Sequence, residues 1–155
     1  MKTFYAAAIY DQKTQARLLD HAQMHGFDCS VDYDGNKILP SNFSFHTTLI
    51  YTTELPNNWK NFKLNEQHSG QVFPLFYEHL GENYDVPVLR VHGPTLQNKR
   101  NQLENFGFVD KWPIFKPHIS LSYARQRAKT LALPLPNFPL VYNKVTIEVK
   151  DQKNV

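Results

Sequence analysis

Cysteine is scarce in this chain, which has only Cys29 among its 155 residues. A single cysteine excludes an intramolecular disulfide and a cysteine-based metal knuckle, and it is typical of a protein from a reducing compartment. Long apolar runs are also missing, so the sequence predicts no transmembrane span. The apolar segment 4–10 leads directly into the polar DQKTQ, which favours a first strand over a signal peptide. We therefore expect a cytoplasmic protein, in the host cytoplasm if it is viral.

A dense stripe of basic residues is absent too, although the net charge is +3. Duplex DNA binders usually carry such a stripe, so we expect no duplex DNA partner and no membrane partner. A small anionic ligand in one cleft fits the modest charge better. The sequence contains no P-loop and no Gly-x-Ser-x-Gly motif, which leaves triphosphatase and acyl-transfer chemistry without support. An oligomer is possible, but the sequence does not define one.

What the sequence does contain is one order of elements that occurs twice. A strand at 3–10, a helix ending at Gly26 and an FSFHTTLIYTT strand form the first set. The second set has a strand over 86–92, a helix from Pro94 to Gly107 and a strand over 118–123. Further strands are predicted at 60–66, 70–79 and 138–149. The length favours one domain over 1–155. We expect an α+β fold with two lobes, roughly 1–80 and 81–155.

Each predicted lobe carries a His-x-Thr/Ser tetrapeptide, and the chain's other five histidines do not match this pattern. The two copies are HTTL at 46–49 and HISL at 118–121. Residues i and i+2 of a strand share a face, so His46 lies beside Thr48 and His118 beside Ser120. The second copy alternates cleanly, whereas in the first copy Ile50 falls on the face of His46 and Thr48. Two similar lobes facing each other would bring these strands together.

Paired histidines suit phosphodiester cleavage. A neutral imidazole removes a proton from an attacking hydroxyl or water, and an imidazolium protonates the leaving oxygen. Both forms are accessible near neutral pH. The hydroxyls of Thr48 and Ser120 can donate to the phosphate oxygens as charge builds there. This division of work requires no metal, and we expect no cofactor.

FSFHTTLIY and FKPHISLSY resemble the two signature strands of the 2H phosphoesterase superfamily, which has the LigT-like fold. The similarity spans nearly the whole chain. It implies a bilobal, pseudo-symmetric fold in which two antiparallel sheets flank a central cleft with helices on the outside. It also implies metal-independent catalysis by His46, Thr48, His118 and Ser120.

The short length and the opening FYAAAIYDQKT most resemble the bacteriophage anti-CBASS phosphodiesterases. This resemblance implies hydrolysis of cyclic di- and trinucleotide immune signals, such as 3′,3′-cGAMP, by ribonuclease-like chemistry. Which histidine acts as acid and which as base stays open. Two alternatives also remain: a 2′,3′-cyclic or 2′,5′-RNA phosphodiesterase of the LigT type acting on RNA ends, and a non-catalytic nucleotide- or RNA-binding module.

Four further residues are candidates for substrate binding. The resemblance implies a cleft residue at Tyr10, where the first strand ends, and a late acidic residue near the nucleotide at Glu148. Tyr77 and Trp112 could form platforms on which bases stack. The competing interpretation is a core or packing role for the aromatic residues and an exposed strand position for Glu148.

One alternative metal site is weak. His21 and His25 are four residues apart on a predicted helix, as metal ligands can be. Ala22, however, stands where the zinc-protease motif has Glu, and no third ligand suggests itself. We therefore expect no metal site.

Overall fold

The computed structural model describes residues 1–64, 68–125 and 132–151. Within these ranges the chain forms six strands, two α-helices and two short 3-10 turns, which makes it an α+β fold. In chain order the elements are β1 (Lys2–Tyr10), α1 (Gln12–Met24), a turn at Pro40–Asn42, β2 (His46–Thr52), a turn at Trp59–Asn61, β3 (Gly70–Leu80), β4 (Val86–His92), α2 (Pro94–Phe106), β5 (His118–Ser120) and β6 (Leu140–Asp151).

The strands form one antiparallel sheet in the order β2-β1-β6-β3-β4-β5, rather than the two sheets we expected. The link is β3, which pairs with β6 through Gly70–Val72 and with β4 through Phe73–Leu80. A Cβ atom at Gly70 would lie only 2.5 Å from Thr95 Oγ1, so glycine is required where the strand enters this link. The sheet is therefore continuous from one histidine strand to the other.

The helices begin and end where the sequence predicts. Asp11 caps α1, accepting a hydrogen bond from the backbone N–H of Thr14 at 2.8 Å. Pro94 occupies the first turn of α2. Gly107 ends α2 with φ +118°, a left-handed conformation that favours glycine.

Each helix contacts a strand from the other half of the sequence. Thr14 Oγ1 of α1 accepts a 3.2 Å hydrogen bond from the backbone N–H of Val141 on β6, and Arg100 of α2 donates to the carbonyl of Leu49 on β2 at 2.8 Å. Within the first half, His21 of α1 bonds the hydroxyl of Tyr77 on β3, with 2.6 Å between Nε2 and the phenol oxygen. Beyond α2, Phe108 stacks on Phe4 of β1 with ring centroids 4.2 Å apart. The two halves are thus interlocked through a shared core.

Two predicted strands differ from the structure. The prediction of a strand at 60–66 is wrong for the residues that the structure describes. Trp59–Asn61 form a 3-10 turn, and Phe62 packs on the core. Residues 65–67 lie outside the described chain. The strand expected at 118–123 ends at Ser120, and Ser122 is buried with its hydroxyl bonded to the carbonyl of Asp28. No helix in the described part of the chain is both long enough and apolar enough to cross a membrane.

Candidate active site

His46 and His118 begin the strands at the two ends of the sheet order, β2 and β5. Phe43 lies three residues before His46, and Tyr123 lies three residues after Ser120. Their rings stack with centroids 5.5 Å apart, which brings the start of β2 close to the end of β5. His46 is accordingly one of the groups that act electrostatically on His118. The two predicted catalytic strands therefore meet.

Both imidazoles are held in the same way. His46 Nδ1 lies 3.0 Å from the carbonyl oxygen of Ser44, and His118 Nδ1 lies 2.7 Å from the carbonyl oxygen of Lys116. A carbonyl oxygen only accepts, so Nδ1 is the donor and carries the hydrogen in both rings. In the neutral imidazole the lone pair is then at Nε2. Each histidine thus offers Nε2 for proton transfer.

Burial lowers the pKa of both histidines from its ordinary value of 6.5. In each ring the hydrogen bond to the backbone carbonyl opposes this effect. The positive charges of His46 and Arg90 lower the pKa of His118 further. Both imidazoles are therefore mainly neutral at neutral pH in the free protein, and an anion bound between them would favour protonation.

Each motif hydroxyl is hydrogen-bonded to a tyrosine that the sequence did not single out. Tyr5 OH lies 3.2 Å from Thr48 Oγ1, and the Tyr123 side chain bonds Ser120. Burial raises the pKa of Tyr5 to about 12 and also raises the pKa of Tyr123, so both phenols stay protonated. A phenol that donates to a hydroxyl oxygen leaves the hydroxyl hydrogen available to a second acceptor.

A β-bulge changes the alternation of the first motif. The pairing of β1 with β2 shifts between Ile50 and Thr48, which leaves Leu49 as the extra residue. Ile50 consequently joins the core with no exposed surface, and Tyr51 pairs with Tyr5. Our expectation that Ile50 shares the face of Thr48 was wrong, because simple alternation does not allow for a bulge.

The bulge is held from the second half of the chain. The carbonyl of Leu49 accepts a 2.8 Å hydrogen bond from Arg100 Nη1 on α2. The Arg100 side chain is 3% exposed and forms ion pairs with Asp110 and, at 2.6 Å, with Glu104. A buried arginine therefore satisfies the carbonyl at the bulge.

Arg90 lies beside the second histidine. It pairs directly with His118 across β4 and β5, so both side chains are on one face of the sheet. Arg90 Nη1 donates to Glu78 Oε1 at 2.8 Å. One feature of the sequence could have indicated a role for Arg90: it is a charged residue in the interior of VPVLRVH, a strand that is otherwise apolar except for His92 at its end.

Two of the predicted substrate contacts are buried. Tyr10 is 2% exposed, with its hydroxyl 2.8 Å from Thr47 Oγ1 and its ring against Tyr142. Tyr77 is 8% exposed; its hydroxyl bonds His21 and donates to the Pro134 carbonyl. The structure therefore places both residues in the core, where their polar groups already have protein partners.

The other two predicted contacts lie at the surface, beside Tyr5 and Tyr51. Glu148 pairs with Tyr5 across β6 and β1, so its side chain is on the face of Thr48. Trp112 is 60% exposed, and its ring centroid is 6.0 Å from that of Tyr51. Both side chains are exposed to solvent.

No group of three or more His, Cys, Asp or Glu side chains in the described ranges could hold a metal ion. The ring centroids of His21 and His25 are 4.6 Å apart, but Nε2 of His21 is already hydrogen-bonded to the hydroxyl of Tyr77. Cys29 is buried, and burial raises the pKa of its thiol to about 11, which is unfavourable for a nucleophile.

Solved structures with this fold include phosphoesterases. E. coli LigT complexed with phosphate is 17% identical, with a TM-score of 0.57 over 94% of this chain and 85% of that chain. A phosphoesterase structure is 16% identical, with a TM-score of 0.59 over 95% and 87%. The apo form of E. coli LigT is also 16% identical, with a TM-score of 0.56 over 99% and 91%. Curated protein sequences give no match.

The architecture that brings the two His-x-Thr/Ser strands together is thus the fold of these phosphoesterase structures. Residues 2–153 match the family of the anti-CBASS protein Acb1. The chain belongs to that family.

Proposed function

We propose that this protein is a metal-independent phosphodiesterase that hydrolyses cyclic di- and trinucleotide immune messengers, such as 3′,3′-cGAMP, to linear products and so antagonises CBASS defence. The observation that carries the proposal is the pair of histidines, each anchored at Nδ1 and each on a strand with a neighbouring hydroxyl. Membership of the anti-CBASS family supports the substrate class. The reaction would take place in the cytoplasm, that of the host if the protein is viral.

The first step would be attack of a ribose 2′-hydroxyl on the adjacent phosphorus. One neutral histidine takes the hydroxyl proton at Nε2, while the other histidine, as imidazolium, gives its proton to the departing 5′ oxygen. The P–O5′ bond breaks as the O2′–P bond forms, giving a 2′,3′-cyclic phosphate. Water then opens this ring while the two histidines exchange roles.

Thr48 and Ser120 would stabilise the charge that develops on the non-bridging oxygens. Both hydroxyls lie on the faces of the histidines, and both have a protonated tyrosine as a partner. Donors positioned before the reaction stabilise such charge without reorganisation at the moment of reaction. Trp112 and Glu148, which are exposed beside Tyr51 and Tyr5, are proposed to contact the nucleotide.

The test is mass spectrometry of the products from 3′,3′-cGAMP, a cyclic tri-adenylate, and RNA ends with a 2′,3′-cyclic phosphate or a 2′,5′ linkage. Linear products from the cyclic oligonucleotides, formed equally with and without EDTA, are expected. Products from RNA ends alone would overturn the proposal and favour the LigT-type alternative, which the likeness of fold keeps open. Binding without turnover would favour the non-catalytic module, and activity restored by metal after chelation would contradict metal independence.

A further inference from the structure

Arg90 is a charged residue on the histidine face for which the cleavage chemistry gives no role. Arg90 pairs with His118, and two residues earlier Val88 pairs with Ser120. Directly paired residues of antiparallel strands project to the same side of the sheet. The guanidinium is therefore next to a catalytic imidazole and close enough to act on it electrostatically.

The guanidinium is held in place and still has a donor to offer. Glu78 accepts from Arg90 Nη1 at 2.8 Å, and the Phe76 ring centroid lies 5.2 Å from the guanidinium carbon. The side chain is 18% exposed, and its Nε has no hydrogen-bond partner among the described residues. Nη2 donates to no described residue and is not buried, so it is the donor that an anionic ligand can reach.

The first histidine has no such neighbour. The residue that pairs with His46 is Ile9, in the position that Arg90 has relative to His118. By contrast, the groups proposed to act on the scissile phosphate, a histidine and a hydroxyl, occur on both strands. Arg90 also lies on the strand beyond β5, about 4.8 Å further from the meeting point of the two histidine strands.

We propose that Arg90 binds the second, non-scissile phosphodiester of a cyclic oligonucleotide, and so selects substrates that carry more than one phosphate. This inference rests on the proposed function. A guanidinium forms two parallel hydrogen bonds to a phosphate, a geometry that lysine cannot reproduce. Glu78 orients the guanidinium through Nη1.

The test compares two ligands on the full chain carrying His46→Ala, which slows turnover enough for binding to be measured. Cyclic di-adenylate has two phosphodiesters and adenosine 2′,3′-cyclic phosphate has one. Arg90→Gln should weaken the first ligand about 10- to 100-fold, the range for a charge-assisted hydrogen bond, and the second less than about twofold. Arg90→Lys should fall between, because it keeps the charge and loses the fork.

The matched control is Arg17→Gln, which makes the same change in net charge. Arg17 is exposed on α1, with its guanidinium carbon 5.9 Å from the Phe138 ring, so it also loses an arginine–aromatic contact. It should leave both affinities unchanged. Calorimetric titration measures the affinities, and thermal melting checks the fold.

Equal weakening of both ligands by Arg90→Gln would overturn the proposal, because Arg90 would then act at the scissile phosphate or on the fold. No weakening of either ligand would overturn it as well. If the His46→Ala protein with Arg90 intact binds only the one-phosphodiester ligand, the cyclic-oligonucleotide function itself fails, and that result does not depend on Arg90.

Discussion

The two histidine strands are built alike at their centres and differently at their flanks. In both, Nδ1 is anchored to a carbonyl two residues earlier and the motif hydroxyl is bonded to a tyrosine. Beside them, Ile9 accompanies His46 and Arg90 accompanies His118. The duplicated groups are those that a phosphodiester exchange needs on both sides of phosphorus. The unmatched groups are where discrimination between substrates can arise.

The largest expected effect is the loss of either imidazole. His46→Ala and His118→Ala should each lower kcat on 3′,3′-cGAMP by about 10² to 10⁴, because each removes one partner of acid–base catalysis. The double variant should be little worse than the singles, since groups that act as a unit are not additive. Initial rates measure this, with His25→Ala as the control. Wild-type kcat in either single variant would contradict a mechanism shared between the two strands.

The next effect tests whether the two hydroxyls contribute equally. Thr48→Val and Ser120→Ala should each lower kcat by about 10², the lower end of the range for one donor to a developing negative charge. Ser69→Ala, at an exposed position outside the site, is the control. A loss in one variant only would show that the scissile phosphate is held from one strand, and the equivalence of the two motifs would be abandoned.

A smaller effect is expected when the tyrosine partners are removed. Tyr5→Phe and Tyr123→Phe each remove a neutral hydrogen bond to a motif hydroxyl. The loss of one such bond should lower kcat about 2- to 10-fold. Tyr84→Phe, at an exposed position, should have no effect. Unchanged rates in both site variants would show that Thr48 and Ser120 orient themselves without these phenols.

The smallest effect concerns the pKa values of the two imidazoles. Because burial lowers both below 6.5, and catalysis needs one neutral and one protonated ring, kcat/KM should be greatest below pH 6.5 and fall as the pH rises. In Arg90→Gln the pKa of His118 should rise, since a nearby positive charge is lost, while that of His46 should change less. Titration followed by NMR of the imidazole resonances separates the two. An optimum above pH 7, or equal shifts in both rings, would contradict this difference.

Much of this arrangement follows from local sequence. The cap at Asp11 predicts the start of α1, and Gly107 predicts the end of α2. The alternation in HISLSY predicts that His118 and Ser120 lie on the same face of their strand. Local patterns do not report contacts that depend on which strands pair. The carbonyl at the Leu49 bulge is satisfied by an arginine about fifty residues later in the chain, at position 100.

The burial of Tyr10 is a second case. This tyrosine ends β1 at a point where the pairing with β6 shifts register, and its hydroxyl reaches Thr47. The resemblance implied a cleft role for this residue, with a core role as the alternative, and the local sequence does not distinguish the two. The roles of Tyr5 and Arg90 likewise depend on cross-strand register rather than on any motif around them.

The contact between Arg100 and the Leu49 carbonyl also has a consequence for how substrate enters. Arg100 is on α2 and Leu49 is on β2, so a hinge motion that separated these elements would break a buried hydrogen bond and leave the Leu49 carbonyl without its donor, while Arg100 would keep its ion pair with Asp110. Leaving a buried carbonyl without its donor costs about 1–3 kcal/mol, which disfavours such an open state. The strand that carries His46 is thus held against α2, and a ligand that enters the site meets His46 already in position.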